Sequence, residues 1–458
     1  MRTFMKLTTA MILTLIPIIG VGCSEDDDSD NPATGGKSET GGRNQAGEDN
    51  NGTGGSSQAG APSETGGSSE AGAPSETGGS GNDECDLSRA GRGDPIELTG
   101  NLDSMTLEGD KLYLIRDYAY VKPGETLTIE PCTRIEGEKD TLGVLVIQKG
   151  AKIMAEGTAD APILFTANTS DPEPGDWGGL VLLGQAEMAQ GDALIEGMED
   201  DPKNHFGGDD NSDDSGVLKY VRIEYPGIAI APDSEINGLS LGAIGDETTI
   251  DYVMVSNPLD DCFEFFGGTV NAKHLICENP GDDMFDTDDG FQGSIEYAFG
   301  RHGAPISEDP NGFEWDGTTD YEGSVDTDVS ASHVTMCGSD DAAYAMVLRR
   351  GIQGDIEDTV AVGFPTGFSL RDGAESEVSI ADSVIVSPAL SAIPDPENPD
   401  STVTGDGSWF TDDDSNSEDD PGFDEGDCMG SDGPNSSVTG SEVGAFSDGD
   451  WVTGWTGW

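Results

Sequence analysis

The sequence predicts an all-β chain: a single parallel β-helix behind a disordered N-terminal tether. Three observations carry this. Short apolar runs recur from Ile96 onward, separated by Gly- and Asp-rich turns, and none is long enough or periodic enough at 3.6 residues to form a helix. One phrase repeats, as Asp261-Cys262-Phe263-Glu264-Phe265-Phe266, Asp283-Met284-Phe285-Asp286-Thr287-Asp288 and Asn311-Gly312-Phe313-Glu314-Trp315-Asp316. Its aromatic anchors Phe263, Phe285 and Phe313, with weaker echoes at Tyr344 and Phe368, lie 22, 28, 31 and 24 residues apart. A sandwich also uses short strands, but a phrase that returns at this interval fits stacked coils, each burying its own apolar stripe.

Residues 1–22 have the layout of an export leader, with Arg2 and Lys6 ahead of an apolar run from Leu7 to Val21. That run is too short, and too rich in Pro and Gly at its end, for a permanent membrane span. It closes on Gly20-Val21-Gly22-Cys23-Ser24, which resembles the bacterial lipobox with Gly20 in place of the usual aliphatic residue. The resemblance implies that Cys23 becomes an acylated N-terminus and anchors the chain to a membrane. Ser24 in the next position implies transport to the outer membrane.

Residues 23–83 are acidic at first, then rich in Gly, Ser, Ala, Thr and Pro, with a twelve-residue stretch from Ser56 repeated from Ser68. Too little apolar surface is present to offset the entropy of ordering, so a tether is expected. Some sixty flexible residues span roughly 45 Å. The expected folded domain is 84–458.

Within that domain the strand-like runs follow in order: Leu112–Tyr120, Leu127–Ile129, Val144–Ile147, Ile163–Thr166, Leu180–Leu183, Leu218–Tyr225, Leu239–Leu241, Ile250–Val255, His274–Cys277, Ser332–Met336 and Ser379–Val386. Several of these, including Gly175-Asp176-Trp177-Gly178-Gly179-Leu180 and Phe265-Phe266-Gly267-Gly268-Thr269-Val270, resemble a family of bacterial cell-surface lipoproteins. So does the end, Asp450-Trp451-Val452-Thr453-Gly454-Trp455-Thr456-Gly457-Trp458. The resemblance implies a right-handed, pectin-lyase-like β-helix and a surface location, and it brings no settled activity.

The chain has 90 acidic and 21 basic residues and a formal charge of −69. This excludes nucleic acid as an expected partner, since phosphates require Lys and Arg. Six cysteines follow Cys23, which in an exported chain suggests disulfides, and no CxxC spacing indicates zinc. Cys262 and Cys277 are the first pair to test, one in the opening phrase and the other at the end of the next apolar run.

Strand alternation sorts the phrase by face. With the anchors turned inward, Glu264, Asp286 and Glu314 face outward, and so do Asp288 and Asp316. The same positions in the two later coils are expected to hold Ala345 and Ser369, then Val347 and Arg371. Carboxylates stacked about 4.8 Å apart repel by roughly 3 kcal/mol at an effective dielectric near 20. They must face water, change protonation or hold a cation. Clustered carboxylates suit Ca²⁺, with Asp286, Asp288, Glu314 and Asp316 as the expected ligands. The loops Asp209/Asn211/Asp213 and Asp412/Asp414/Asn416 lack the Gly and terminal Glu of an EF-hand.

Two functions stay open. One is a surface binding or adhesive module, stabilised by calcium and directed at a polysaccharide or another surface component. The other is a Ca²⁺-dependent polysaccharide lyase or glycosidase acting on acidic glycans, with Glu264, Asp286, Glu314, Arg349 and Arg371 as its catalytic candidates. The terminal tryptophans are expected to cap an open end of the solenoid.

Overall fold

A computed structural model describes residues 85–458 apart from 232–233, 304–306, 308–309, 319–324, 340, 373, 375–376, 392–406 and 431–432. The leader, Cys23 and the tether lie outside the described residues. The apolar runs become strands because each places β-branched and aromatic side chains on a stripe that the neighbouring coils bury. Among the described residues, twenty-four strands form one continuous parallel ladder.

The ladder folds into three faces. The first half of Gly216–Glu224 pairs with Lys152–Glu156, and its second half pairs with Ile163–Ala167, so one chain segment turns a corner between two faces. Thr249–Ser256, Asn271–Glu278, Ser294–Arg301, Asp328–Cys337 and Gln353–Val362 stack below it in the same two registers. The third face runs through Val144–Ile147, Gly179–Leu183, Leu239–Ile244, Phe263–Gly268, Phe285–Asp288, Phe313–Asp316, Tyr344–Arg349 and Thr366–Leu370. The recurring phrase therefore lies entirely on one face.

Its anchors fill the core. Phe263 stacks on Phe285 at 5.6 Å and Phe285 meets Phe313 edge-on at 6.1 Å, all fully buried. Each such ring contributes about 1.5–3 kcal/mol by burial. The fourth rung differs from expectation. Phe313 pairs with Met346, and Met346 with Phe368, whereas Tyr344 pairs with Thr366. An unbranched Met fills the core position without a hydroxyl that would need a partner, and the aromatic echo at Tyr344 pointed two residues too early.

The corner between the first two faces is built from left-handed residues that are not glycine. Tyr220, Tyr252, His274, Tyr297 and His333 have φ of 50–56°, a conformation costing each roughly 1–2 kcal/mol. Their rings form one stack, with successive centroids 4.4, 4.1, 5.2 and 4.6 Å apart. Asp251 lies 2.8 Å from His274 Nδ1 and Asp358 2.6 Å from His333 Nδ1. Stacking and these polar contacts offset the backbone cost.

The C-terminal segment does not cap the solenoid with its tryptophans. Phe410, fully buried, and Trp409, whose Nε1 donates to the Val378 carbonyl at 2.9 Å, cover the last coil. The chain then runs back along the side of the coils. Phe446 packs on Phe299, Trp451 on His274, and Trp455 on Tyr220 and Tyr252. The ring stack at the corner gives these tryptophans their aromatic contacts. Trp177 and Trp315 are fully buried core residues.

Three disulfides join Cys85–Cys132, Cys262–Cys277 and Cys337–Cys428. The second closes a short loop beside the recurring phrase, and the third ties the returning segment to the coil it lies on. Disulfides of this number indicate an extracytoplasmic protein.

Candidate functional site

The site grows out of two columns of side chains on the third face. The first column comes from the residue two places before each anchor. Asn237 Oδ1 accepts from the Asp261 backbone N–H (3.3 Å), and Asp261 Oδ1 accepts from that of Asp283 (2.9 Å). Asp283 Oδ1 then accepts from Asn311 N–H (2.6 Å), and Asn311 Oδ1 from Tyr344 N–H (3.2 Å). The result is a buried ladder of four side chains, Asn-Asp-Asp-Asn, in which each satisfies the backbone of the next coil.

The second column is the residue after each anchor. Ser240, Glu264, Asp286, Glu314 and Val347 occupy consecutive rungs. Where the two columns overlap, Asp261, Glu264, Asp283 and Asp286 bring four carboxylates together.

These groups point away from the core, yet Asp261, Glu264 and Asp283 are buried and Asp286 is half-buried. Only 6% of Glu264 and 7% of Asp261 is exposed. The strand bearing Glu264 is roofed by the hairpin Ala193–Leu194/His205–Phe206, whose Phe206 ring lies 6.1 Å from Phe266. Asn237 Nδ2 donates to Glu264, while Asp286 Oδ1 is sealed from solvent and has no hydrogen-bond partner. Oxygen atoms of Asp261, Glu264 and Asp286 lie within 4.8 Å of one another, and those of Asp260, Asp261 and Asp282 form a second such group. Burial, reinforced by the charges of the others, pushes Asp261, Glu264, Asp283 and Asp286 well above the usual carboxylate range. Such an array holds protons or a cation, and its oxygens are the donors a hard divalent ion takes.

The neighbouring rungs solve the same problem with arginine. Arg349 Nε donates to Asp316 Oδ1 at 2.5 Å, and a second guanidinium nitrogen reaches Asp316 Oδ2 at 3.0 Å. Arg349 also pairs with Glu314, and Arg350 Nη1 reaches Asp316 Oδ2 at 2.5 Å. Burial works against the Arg349 charge, but Glu314 and Asp316 more than offset it and hold its pKa above the ordinary arginine value. Asp288, half-buried beside Asp316, is pushed up to about 7 by burial and by that charge.

The register explains why Arg349 meets these acids. Asp316 pairs directly with Arg349, so the position expected to carry Val347 carries the arginine instead, and Val347 follows Glu314. Of the four expected calcium ligands, only Asp286 therefore lies in a carboxylate group without an ion pair. Glu314 and Asp316 are neutralised by arginine, and Asp288 stands beside them. Arg371 is buried, its Nε bonded to Ser369 Oγ at 2.9 Å.

Sequence reasoning missed Asp261 and Asp283, although both open the quoted phrase. Their parity matches the anchors, which assigns them to the core. They sit in the turn before the strand, where alternation does not apply. The usable signal was the repeated Asx two residues before each anchor. The loops at Asp213 and Asn416 are tied internally, Asp213 to Gln185 and Ser215, and Asn416 to the Ile380 and Phe410 carbonyls. A cleft of about 1390 Å³ lies elsewhere, between residues near Cys85 and the end of the returning segment at Trp455 and Gly457.

A family model described as a pectate-lyase like beta helix domain matches residues 99–456. No curated protein and no solved structure matches the chain.

Proposed function

The chain belongs to the pectate-lyase-like β-helix domain family, and on that footing we propose that it is an exported, membrane-anchored scaffold that binds calcium in its wall and displays a binding surface outside the cell. The observation that carries this reading is the enclosed carboxylate group of Asp261, Glu264 and Asp286, with its unpartnered Asp286 Oδ1. Calcium, whose coordination geometry is flexible, suits an irregular set of carboxylate oxygens better than the more demanding Mg²⁺. Asp261, Glu264 and Asp286 would hold it, and its charge would replace the protons that the array otherwise needs.

The acylated Cys23 anchors the chain in the outer membrane, the tether lifts the coils from it, and the partner is a polysaccharide or another surface component. The apolar leader ending in Cys23 supports the anchor. Metabolic labelling with a fatty-acid analogue tests it: the wild-type chain takes the label and Cys23→Ala does not.

Burial of the acids favours the scaffold over the lyase. A polymer needs open access to the metal and a base able to lose its proton, yet Arg349 is locked between Glu314 and Asp316 and Arg371 is covered. Product release from a panel of acidic glycans decides between them. The scaffold predicts none, whereas product that disappears in both Asp286→Asn and Arg371→Ala would establish the enzyme.

A further inference from the structure

Asn237 stands at one end of the buried ladder, only 1% exposed, and its side-chain amide makes two bonds into the array. Oδ1 accepts from the Asp261 backbone N–H at 3.3 Å, and Nδ2 donates to the Glu264 carboxylate. We infer that Asn237 is the positioning residue of the cation site, fixing two of its three ligands without neutralising either. This rests on the reading of Asp261, Glu264 and Asp286 as a cation site and adds the group that orients them.

The spacing along the chain shows how the amide comes to face Glu264. The residue three places after each ladder side chain is Ser240 after Asn237, Glu264 after Asp261, Asp286 after Asp283 and Glu314 after Asn311. Asn311 Nδ2 donates at 3.0 Å to Glu314 Oε2 within its own coil. Asn237 has a serine in that place, and its amide reaches instead to Glu264, the residue paired with Ser240 on the next rung. Both ends of the ladder therefore carry an asparagine whose Nδ2 serves a glutamate.

What differs is the charge beside the two glutamates. Glu314 is also paired with Arg349, so its negative charge is compensated within the chain. Among the described residues Glu264 forms no ion pair, and Asn237 is the side chain that donates to it. An amide gives a carboxylate a hydrogen bond and a fixed orientation but, unlike a guanidinium, leaves its charge for a metal. The bond to the Asp261 N–H acts on a second ligand, holding the turn from which Asp261 projects, while Asp261 Oδ1 is itself held by the Asp283 N–H. Asp286 completes the group with its sealed, unpartnered Oδ1.

Asn311 supplies the control for a test, because its amide makes the same kinds of bond, to the Tyr344 N–H and to Glu314. A merely structural amide would lower stability at either position and leave metal affinity alone at both. The full chain, stripped with EDTA and returned to physiological salt, is titrated with CaCl₂ by calorimetry, and each variant is melted in EDTA. Removing a hydrogen-bond partner of metal ligands lowers affinity about 10–100-fold, and Asn237→Ser is expected to weaken the tight Ca²⁺ site by that amount. Asn311→Ser is expected to melt earlier in EDTA yet to bind Ca²⁺ as the wild type does. Asn237→Gln, which keeps the amide but displaces it by a methylene, is measured beside them and is expected to fold and to bind more weakly than Asn311→Ser. Wild-type affinity in both Asn237 variants, or equal losses in Asn237→Ser and Asn311→Ser, overturns the positioning role and leaves the cation-site reading standing. No tight Ca²⁺ in the wild type overturns both.

Discussion

Two neighbouring rungs of one face meet the same electrostatic difficulty by different means. At Glu314 and Asp316 the countercharge is built in: removing it by Arg349→Met takes the ion pair from Glu314 and leaves Asp316, only 4% exposed, with Arg350 alone. Breaking a buried pair in this way costs about 3–5 kcal/mol, to be read as a lower denaturant midpoint with unchanged slope. Among the described residues no arginine forms an ion pair with Asp261, Glu264 or Asp286, although the Arg349 charge acts on Asp286. The register makes the difference, since Arg349 occupies the rung directly below Asp316. The sequence contained both halves of this arrangement. It located the acids on one face, with Arg349, Arg350 and Arg371 beside their end, but not the pairing of Arg349 with Asp316, because the interval between coils varies and the aromatic echo at Tyr344 hid the true anchor, Met346. Asp261 was hidden by a different cause, its position in a turn.

At the level of elements, the phrase-bearing strands and the returning C-terminal segment carry the packing. Phe285 lies between Phe263 and Phe313, and Phe285→Ala is expected to cost about 3–5 kcal/mol. Trp455, 1% exposed against Tyr220 and Tyr252, should cost a similar amount as Trp455→Ala, although it lies outside the coils. Equilibrium unfolding of the two variants checks both values; a neutral Trp455→Ala would mean that the segment rests on the solenoid without stabilising it. The strands were legible as alternating β-rich runs, because their pattern is local. The returning segment was not, since its tryptophans gain their meaning from Tyr220, Tyr252 and His274, well over a hundred residues earlier in the chain. The ring stack was also missed: left-handed φ at tyrosine and histidine is unfavourable locally and follows only from stacking between coils.

For the whole molecule, the acidic array ties stability to pH and to calcium. Asp261, Glu264, Asp283 and Asp286 have folded-state pKa values raised above their ordinary values of 3.8 and 4.5. The folded chain therefore binds more protons than the unfolded one in that range, so stability without metal falls as pH rises through it. Asp288 extends the window to about 7. Carboxylates with the opposite shift, such as Asp251, whose bonds to His274 and Lys219 prevail over its burial, act at lower pH, and buried His302, pushed down to about 4, opposes the fall only below about 6.5. A cation that binds only the folded state reverses the loss, by about 2.7 kcal/mol at a hundredfold excess over its Kd.

The thermal midpoint of the full chain at pH 5 and pH 8, in EDTA and in CaCl₂, tests this account most directly. The array predicts a midpoint that drops between pH 5 and pH 8 in EDTA, is restored at pH 8 by calcium, and loses that calcium response in Asp261→Asn. A midpoint at pH 8 that is the same in EDTA and in calcium would contradict it.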